Sequence, residues 1–253
     1  MYFIYLTLLR QNLFNFAKIK FIFLKMNDFH HTEKNPRFFY DTSAFSYLNS
    51  LVSNFDAIKS ELLDLINSNN EQQWLRTFPD YVKSDKNKAW KTFSFIFFNM
   101  RSLKNAKLCP KTAEIIYNIP EIISCDYSYL DANTHILPHK GYSRMVLRCH
   151  LPLIVPNEDL CAIRVGNETR HWREGELMIF DDSFDHEAWN KSNEKRIVLM
   201  FDIPNPLWGY SAFEISKYKI EHLEDPFLLS VATKEQWLNA FGNKQLPLNC
   251  IVE

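Results

Sequence analysis

The chain has 253 residues, 46 % of them hydrophobic, with 21 Phe, 11 Tyr and 6 Trp; that is ample for one sizeable core and excludes a disordered chain. Only five glycines occur, which argues against a glycine-rich phosphate cradle, and a formal net charge of -1 leaves no global field to draw nucleic acid or an anionic surface. The five cysteines (Cys109, Cys125, Cys149, Cys161 and Cys250) are scattered and form no CxxC, which sets aside zinc knuckles and disulfide frameworks and points to a reducing, cytoplasmic compartment.

In chain order, residues 1–25 (MYFIYLTLLRQNLFNFAKIKFIFLK) come first; they are apolar but interrupted by Arg10, Asn12, Asn15, Lys18 and Lys20. A spanning helix needs about 20 nearly unbroken apolar residues, and a secretory signal carries its charge first and a small-residue cleavage site last. Neither pattern is met. Three readings stay open: an amphipathic helix making peripheral contact with the inner membrane face, a helix packed on the domain, or an upstream extension before a start at Met26. The polar opening Met26-Asn27-Asp28 favours the last.

Residues 27–42 are polar and aromatic, an extended lead-in. Over 43–68, Leu48, Leu51, Phe55, Ile58, Leu62 and Leu65 recur at helical spacing, with Ser53 or Asn54 placed to cap the second half. WKTFSFIFFNM (90–100) reads as a strand and CPKTAEIIYNI (109–119) as a short helix opened by Pro110. From Pro120 the character changes to at least seven short β-type runs: IISCDYSYL, SRMVLRCHLPLIV, CAIRVG, ETRHW, ELMIF, HEAWN and RIVLMFDI. Such spacing predicts a sandwich or barrel. Asn167-Glu168-Thr169 reads as a turn between two of these strands. The segment after Pro204 is mixed and partly helical.

Strand alternation puts Val146, Arg148 and His150 on one face, and Arg196, Val198 and Met200 on one face of a later strand. Pro152 cannot donate to a ladder and marks where central pairing stops. An arginine inside a barrel must meet an anion; an internal Asp or Glu and a bound ligand both satisfy that requirement. The run DDSFDHEAWN (181–190) holds His186, and PHKG (138–141) holds His139. Each is a polar-loop imidazole or a ligand, and neutral imidazole suits Fe(II), Zn(II) or Cu(II). The position two after His139 is Gly141, so a two-histidine, one-carboxylate triad is incomplete. Asp181 and Asp182 either orient a ligand histidine or cap the strand–turn junction. Trp172 and Trp189 read as packing residues.

The blocks HILPHKGYSRMVLRCHLPLIVP, IRVGNETRHWREGELMIFDDSFDHEAWN and KRIVLMFDIPNP, in that order, resemble the aspartyl/asparaginyl β-hydroxylase family, which includes lipid A acyl-chain hydroxylases. The resemblance covers about 110–206, and more faintly FFYDTSAFSYLNSLVSNFDAIKSEL (38–62). It implies a mainly β fold with flanking helices, a double-stranded β-helix or cupin-type jelly roll, and a dioxygenase using Fe(II), O2 and 2-oxoglutarate. It also accounts for Gly141, since the family's iron is held by two histidines alone. His139 and His186 resemble those ligands. Arg196, ten residues after His186, resembles the arginine that grips the far carboxylate of 2-oxoglutarate. Ser128, Arg148 and His150 resemble further contacts to that cosubstrate. The implied organisation is an extension over 1–26, a lead-in packed on the barrel over 27–109, the hydroxylase core over 110–206 and a C-terminal extension over 207–253. The expected partner is a peptide or lipid substrate and not nucleic acid. A non-enzymatic cupin-like module binding an anionic small molecule is the alternative, and a zinc or copper site of another chemistry is a weaker one.

Overall fold

The computed structural model describes residues 36–68, 74–84 and 88–246. Residues 1–35 lie outside them, and with them the stretch 1–25 read above as an extension or a helix and the first part of the lead-in, as does Cys250. The chain divides at Arg37 and Phe38 into two compact units, and the second, Phe38–Glu253, carries the fold.

This unit begins with strand β1 (Phe39–Tyr40), a 3-10 run (Thr42–Leu48), and helices α1 (Asn49–Ser53) and α2 (Phe55–Asn67). The helical stretch expected over 43–68 is therefore three pieces. Asn54 makes the break: its backbone leaves helical geometry at φ -106°, ψ 18°, and its side-chain amide donates back to the Ser50 carbonyl instead of capping α2. The apolar spacing still does its work, because Leu48, Leu51, Ile58, Leu62 and Leu65 are all buried.

Strands β2 (Leu75–Arg76) and β3 (Val82–Lys83) precede a hairpin of β4 (Trp90–Phe97) and β5 (Met100–Arg101). Phe98 and Asn99 turn that hairpin with left-handed backbone, φ 44° and 62°. Helix α3 (Leu103–Leu108) is capped by the Ser102 hydroxyl, and α4 (Pro110–Tyr117) begins at Pro110 as expected. Then come β6 (Ser124–Leu130), β7 (Thr134–His139), β8 (Val146–Ile154), β9 (Cys161–Val165), β10 (Glu168–His171), β11 (Met178–Phe180), β12 (His186–Asn190) and β13 (Arg196–Pro204). Gly166, at φ 57°, and Asn167 turn β9 into β10; of the turn expected over 167–169 only Asn167 belongs to it, because Glu168 and Thr169 already pair with Val165 and Arg164 in the β10 ladder. Helices α5 (Ala212–Glu221), α6 (Pro226–Val231) and α7 (Lys234–Asn243) close the described chain; α5 and α7 each start in a capping box. Strand β7 was not anticipated because it contains Pro138. That proline lies beyond the two pairs β7 makes with β3, Val82↔Ile136 and Lys83↔His135, so its missing N–H breaks no bond there.

The pairings from β6 onward are nested: β9 with β10, β8 with β11, β7 with β12 and β6 with β13, all antiparallel. One long hairpin is thus wound on itself, and its strands fall alternately into two sheets. The larger runs β1-β11-β8-β13-β6-β4-β2, with β5 on β4; the smaller runs β10-β9-β12-β7-β3. This is the jelly roll of a double-stranded β-helix, and the fold is mainly β with flanking helices. The segment before residue 110 adds β4 beside β6 in the large sheet. Pro152 limits pairing on one side only: β11 stops at His150, whereas β13 follows β8 to Ile154 across a bulge between Ile197 and Val198.

The faces divide the core in two. Between the sheets lie Trp90, Leu130, Ile163, Val165, Trp172, Phe180 and Val198. On the outer face of the large sheet, Phe93, Phe95, Cys125, Tyr127, Cys149, Leu151, Leu199 and Phe201 meet Ile58 and Leu62 of α2 and Ile116 of α4. Fully burying each such aliphatic side chain is worth about 1.5–3 kcal/mol. The helices therefore brace the back of the sheet and leave the space between the sheets for chemistry.

Candidate functional site

His186 opposes His139 across β12 and β7. Simple alternation along β7 would turn His139 away, because it starts with Thr134 and Ile136 facing inward. A bulge corrects this: His186↔His139 and Ala188↔Ile136 leave an extra residue on β7, which rotates His139 onto the face of His186. The two ring centroids are 4.2 Å apart. His139 Nδ1 is 2.7 Å from the Leu137 carbonyl and His186 Nδ1 is 2.9 Å from the Phe184 carbonyl. A carbonyl only accepts, so each Nδ1 carries the proton and each Nε2 presents a lone pair. Burial lowers the pKa of both, to about 3 for His186, which keeps the rings neutral. This is the protonation state a metal ligand needs. Among the described residues no group of three or more His, Cys, Asp or Glu forms a metal site; two imidazoles are what the strands bring together.

Deeper between the sheets, Arg196 is 1 % exposed, and its Nε and Nη1 have no hydrogen-bond partner. No acid pairs with it among the described residues; its guanidinium lies 4.4 Å over the Trp172 ring. Burial pulls its pKa down to about 10, still charged at neutral pH. His150 is next to it: the Trp172 indole N–H donates to His150 Nδ1 at 3.1 Å, and His150 Nε2 is buried without a partner. Desolvation, then the Arg196 charge, holds His150 neutral. Ser128, 2 % exposed, opposes Val198 and accepts the Trp90 indole N–H at 2.9 Å, so its own proton is available to donate. Buried polar groups are rarely left unsatisfied. A cluster of orphaned donors around one uncompensated cation is a cradle for an anion.

Arg148 behaves differently from Arg196. Its Nε and Nη2 donate to the two Asp202 carboxylate oxygens at 2.9 and 3.1 Å, and its Nη1 is 3.1 Å from Asp182 Oδ2. The last is a charge contact without hydrogen-bond alignment. The internal ion pair considered for both arginines is thus the surrounding of Arg148 and not of Arg196. Arg148 and His150 share the face expected, but Arg148 faces carboxylates and His150 faces Arg196. Asp182 also explains Gly141. A Cβ on Gly141 would lie 2.3 Å from the Asp182 Cγ, and the Gly141 N–H donates to the Asp182 carbonyl at 2.7 Å. No side chain fits at 141. The two adjacent acids divide the roles weighed for them. Asp181 caps the turn, accepting the Ser183 N–H at 3.0 Å and hydroxyl at 2.5 Å; Asp182 stands between Arg148 and Gly141, where its charge acts on His139.

Two contacts escaped sequence reasoning. Trp172 is fully buried between Arg196 and His150 rather than mere filling, and a buried indole N–H that must find an acceptor was the available signal. Tyr81 stacks on His139 with centroids 5.0 Å apart, and nothing in its loop sequence announces that. Trp189 shares the outer face of the small sheet with His135 and Glu187, as a packing residue would.

Residues 52–206 match the family model described as aspartyl/asparaginyl beta-hydroxylase. The ornithine lipid ester-linked acyl 2-hydroxylase of Rhizobium tropici is 38 % identical over 179 residues, 69 % of this chain and 63 % of that protein. The aspartyl/asparaginyl beta-hydroxylase of Homo sapiens is 37 % identical over 122 residues, 46 % of this chain and 16 % of that protein. The chain thus spans less than two thirds of the length of either relative. Among solved structures, a Pseudomonas putida prolyl-4-hydroxylase aligns with a TM-score of 0.41 and 11 % identity, over 59 % of this chain and 86 % of that one. The match covers most of the jelly roll together with α2 and α4, and the chain belongs to the aspartyl/asparaginyl beta-hydroxylase family.

Proposed function

We propose that the protein is an Fe(II)- and 2-oxoglutarate-dependent hydroxylase acting on a C–H bond, with a lipid acyl chain as the favoured substrate class and a peptidyl Asp or Asn as the second. The observation that carries the reading is the uncompensated Arg196 guanidinium beside the orphaned His150 Nε2–H, a few strands from a pair of imidazoles with free Nε2 lone pairs. A ferrous ion suits two neutral imidazoles that leave its other positions open to water and an oxo-acid. A dicarboxylate suits a buried guanidinium with nothing else to neutralise it. His139 and His186 would hold the metal. Arg196, His150 and Ser128 would hold the cosubstrate's far carboxylate. When bound, iron with 2-oxoglutarate supplies the oxidising power for inserting one oxygen atom from O2 into a C–H bond.

The chain's own residues do the rest. The carbonyls of Leu137 and Phe184 fix the histidine tautomers. The apolar residues between the sheets exclude water and strengthen the Arg196–carboxylate attraction. Asp202 and Asp182 hold Arg148 and match its charge. The acyl reading is favoured because the acyl 2-hydroxylase relative covers more of this chain than the peptidyl one, 69 % against 46 %.

The test is an anaerobic titration with Fe(II) and 2-oxoglutarate, followed by mass spectrometry of lipids and peptides from cells with and without active protein. A weak visible charge-transfer band that His139→Ala removes, and a lipid pool gaining one oxygen, are expected. Metal-independent 2-oxoglutarate binding with no band and no succinate would instead favour the anion-binding module. A gain of oxygen confined to peptides would move the substrate to the second class.

A further inference from the structure

Trp172 is the largest fully buried side chain among the described residues, and two of its properties act on one place. Its Nε1–H, which can only donate, points at His150 Nδ1 at 3.1 Å. His150 Nδ1 is therefore the acceptor, and the neutral ring must carry its proton on Nε2, the atom left buried without a partner. The ring face of the same indole lies 4.4 Å beneath the Arg196 guanidinium. An aromatic face attracts a cation without neutralising its net charge. A carboxylate in that place would form an ion pair, as Asp202 does with Arg148, and an incoming anion would have to displace it.

We propose that Trp172 is the positioning residue of the anion cradle: its N–H selects the His150 tautomer that donates into the cavity, and its ring holds Arg196 in place with its charge unspent. The role rests on the reading of this cavity as a carboxylate site. It concerns residues of this chain only, and Trp172 reaches the bound anion through its two neighbours.

The experiment has a spectroscopic arm and a binding arm. In the full-length diamagnetic protein, nitrogen-15 NMR reads which His150 nitrogen is protonated, assigned through a coupling across the hydrogen bond from the Trp172 indole. The expected result is a protonated Nε2 coupled to the indole through Nδ1; a protonated Nδ1 would overturn the proposal, and this measurement needs no variant. In the binding arm, Trp172→Phe keeps a ring under Arg196 but removes the N–H. It should weaken 2-oxoglutarate binding roughly tenfold, as expected for one lost orienting hydrogen bond, raise KM for 2-oxoglutarate in step and leave kcat at saturation nearly unchanged. A general packing defect would lower kcat and the Fe(II) stoichiometry together, and that outcome counts against the proposal. Unchanged affinity in Trp172→Phe would remove the Trp172 role and leave the carboxylate site standing. No 2-oxoglutarate binding by the wild-type protein would overturn both.

Discussion

Single residues in this molecule are placed against their own stability, and Arg196 is the clearest case. It is buried and charged, with no acid beside it among the described residues, and that costs free energy. Arg196→Met should therefore raise the stability of the ligand-free protein by about 1–4 kcal/mol while reducing 2-oxoglutarate affinity at least a hundredfold; thermal melts and calorimetric titration check the two halves, and a lower melting temperature would contradict the first. Asp126 shows the same tension without a ligand. Burial, then the nearby Asp202 charge, pushes its pKa up from 3.8 to about 7 against the pull of Ser94 and Arg148, and its Oδ1 has no hydrogen-bond partner. Because the folded-state value is raised, the folded protein holds this proton more tightly than the unfolded chain does. Its stabilising effect is complete below pH 3.8 and fades as pH rises through about 7. Asp126→Asn, which does not titrate, should be more stable than wild type at pH 8 by up to a few kcal/mol, with the gap narrowing by pH 5 and closing only below pH 3.8; denaturant melts across these pH values measure it. Strand alternation alone foresaw that Arg148 and Arg196 point inward. It could not tell which of them meets acids, because Asp182 and Asp202 arrive from other parts of the chain through tertiary pairing.

At the scale of elements, the β7 bulge decides whether the site exists. His139 reaches His186 only because β7 carries one residue more than β12 between two matched pairs. Inserting one alanine after Glu187 should give the two strands equal length between the matched pairs, restore regular pairing and turn His139 and His186 to the outer face. The expected outcome is loss of tight Fe(II) binding, read by metal analysis, with far-UV circular dichroism preserved. Retained stoichiometric metal would show that the bulge is dispensable. Seven of the strands from Pro120 onward were readable, since β-branched and apolar runs bounded by turn residues carry their own signal. β7 was not, as THILPH contains a proline and alternation is broken by the bulge itself. The break between α1 and α2 was hidden for a related reason: Asn54 was read as a cap, yet it bonds backward to Ser50. The apolar residues flanking it keep helical spacing right across the break.

Taken whole, the molecule uses one sheet for two purposes, with chemistry on its inner face and a helical brace on its outer one. Ile58 is fully buried in that outer layer. Ile58→Ala should cost about 2–5 kcal/mol of stability and leave the dissociation constant for 2-oxoglutarate unchanged at temperatures where the variant is folded; a parallel loss of affinity would show that the two faces are coupled. Strand number and spacing pointed to a sandwich or barrel, and the family resemblance narrowed that to a jelly roll. The helical layer's docking on the back of the sheet was not readable, because helical periodicity reveals an apolar stripe without naming what covers it. Cys109, Cys125, Cys149 and Cys161 are all buried and reduced. Burial raises the pKa of each, to about 12 for Cys109. Thiolates are what alkylating reagents attack, so these four sulfurs stay silent in the native state. Their labelling rates clock two events without an engineered probe: Cys109, Cys125 and Cys149 report how often the helical layer lifts off the large sheet, and Cys161 how often the two sheets part.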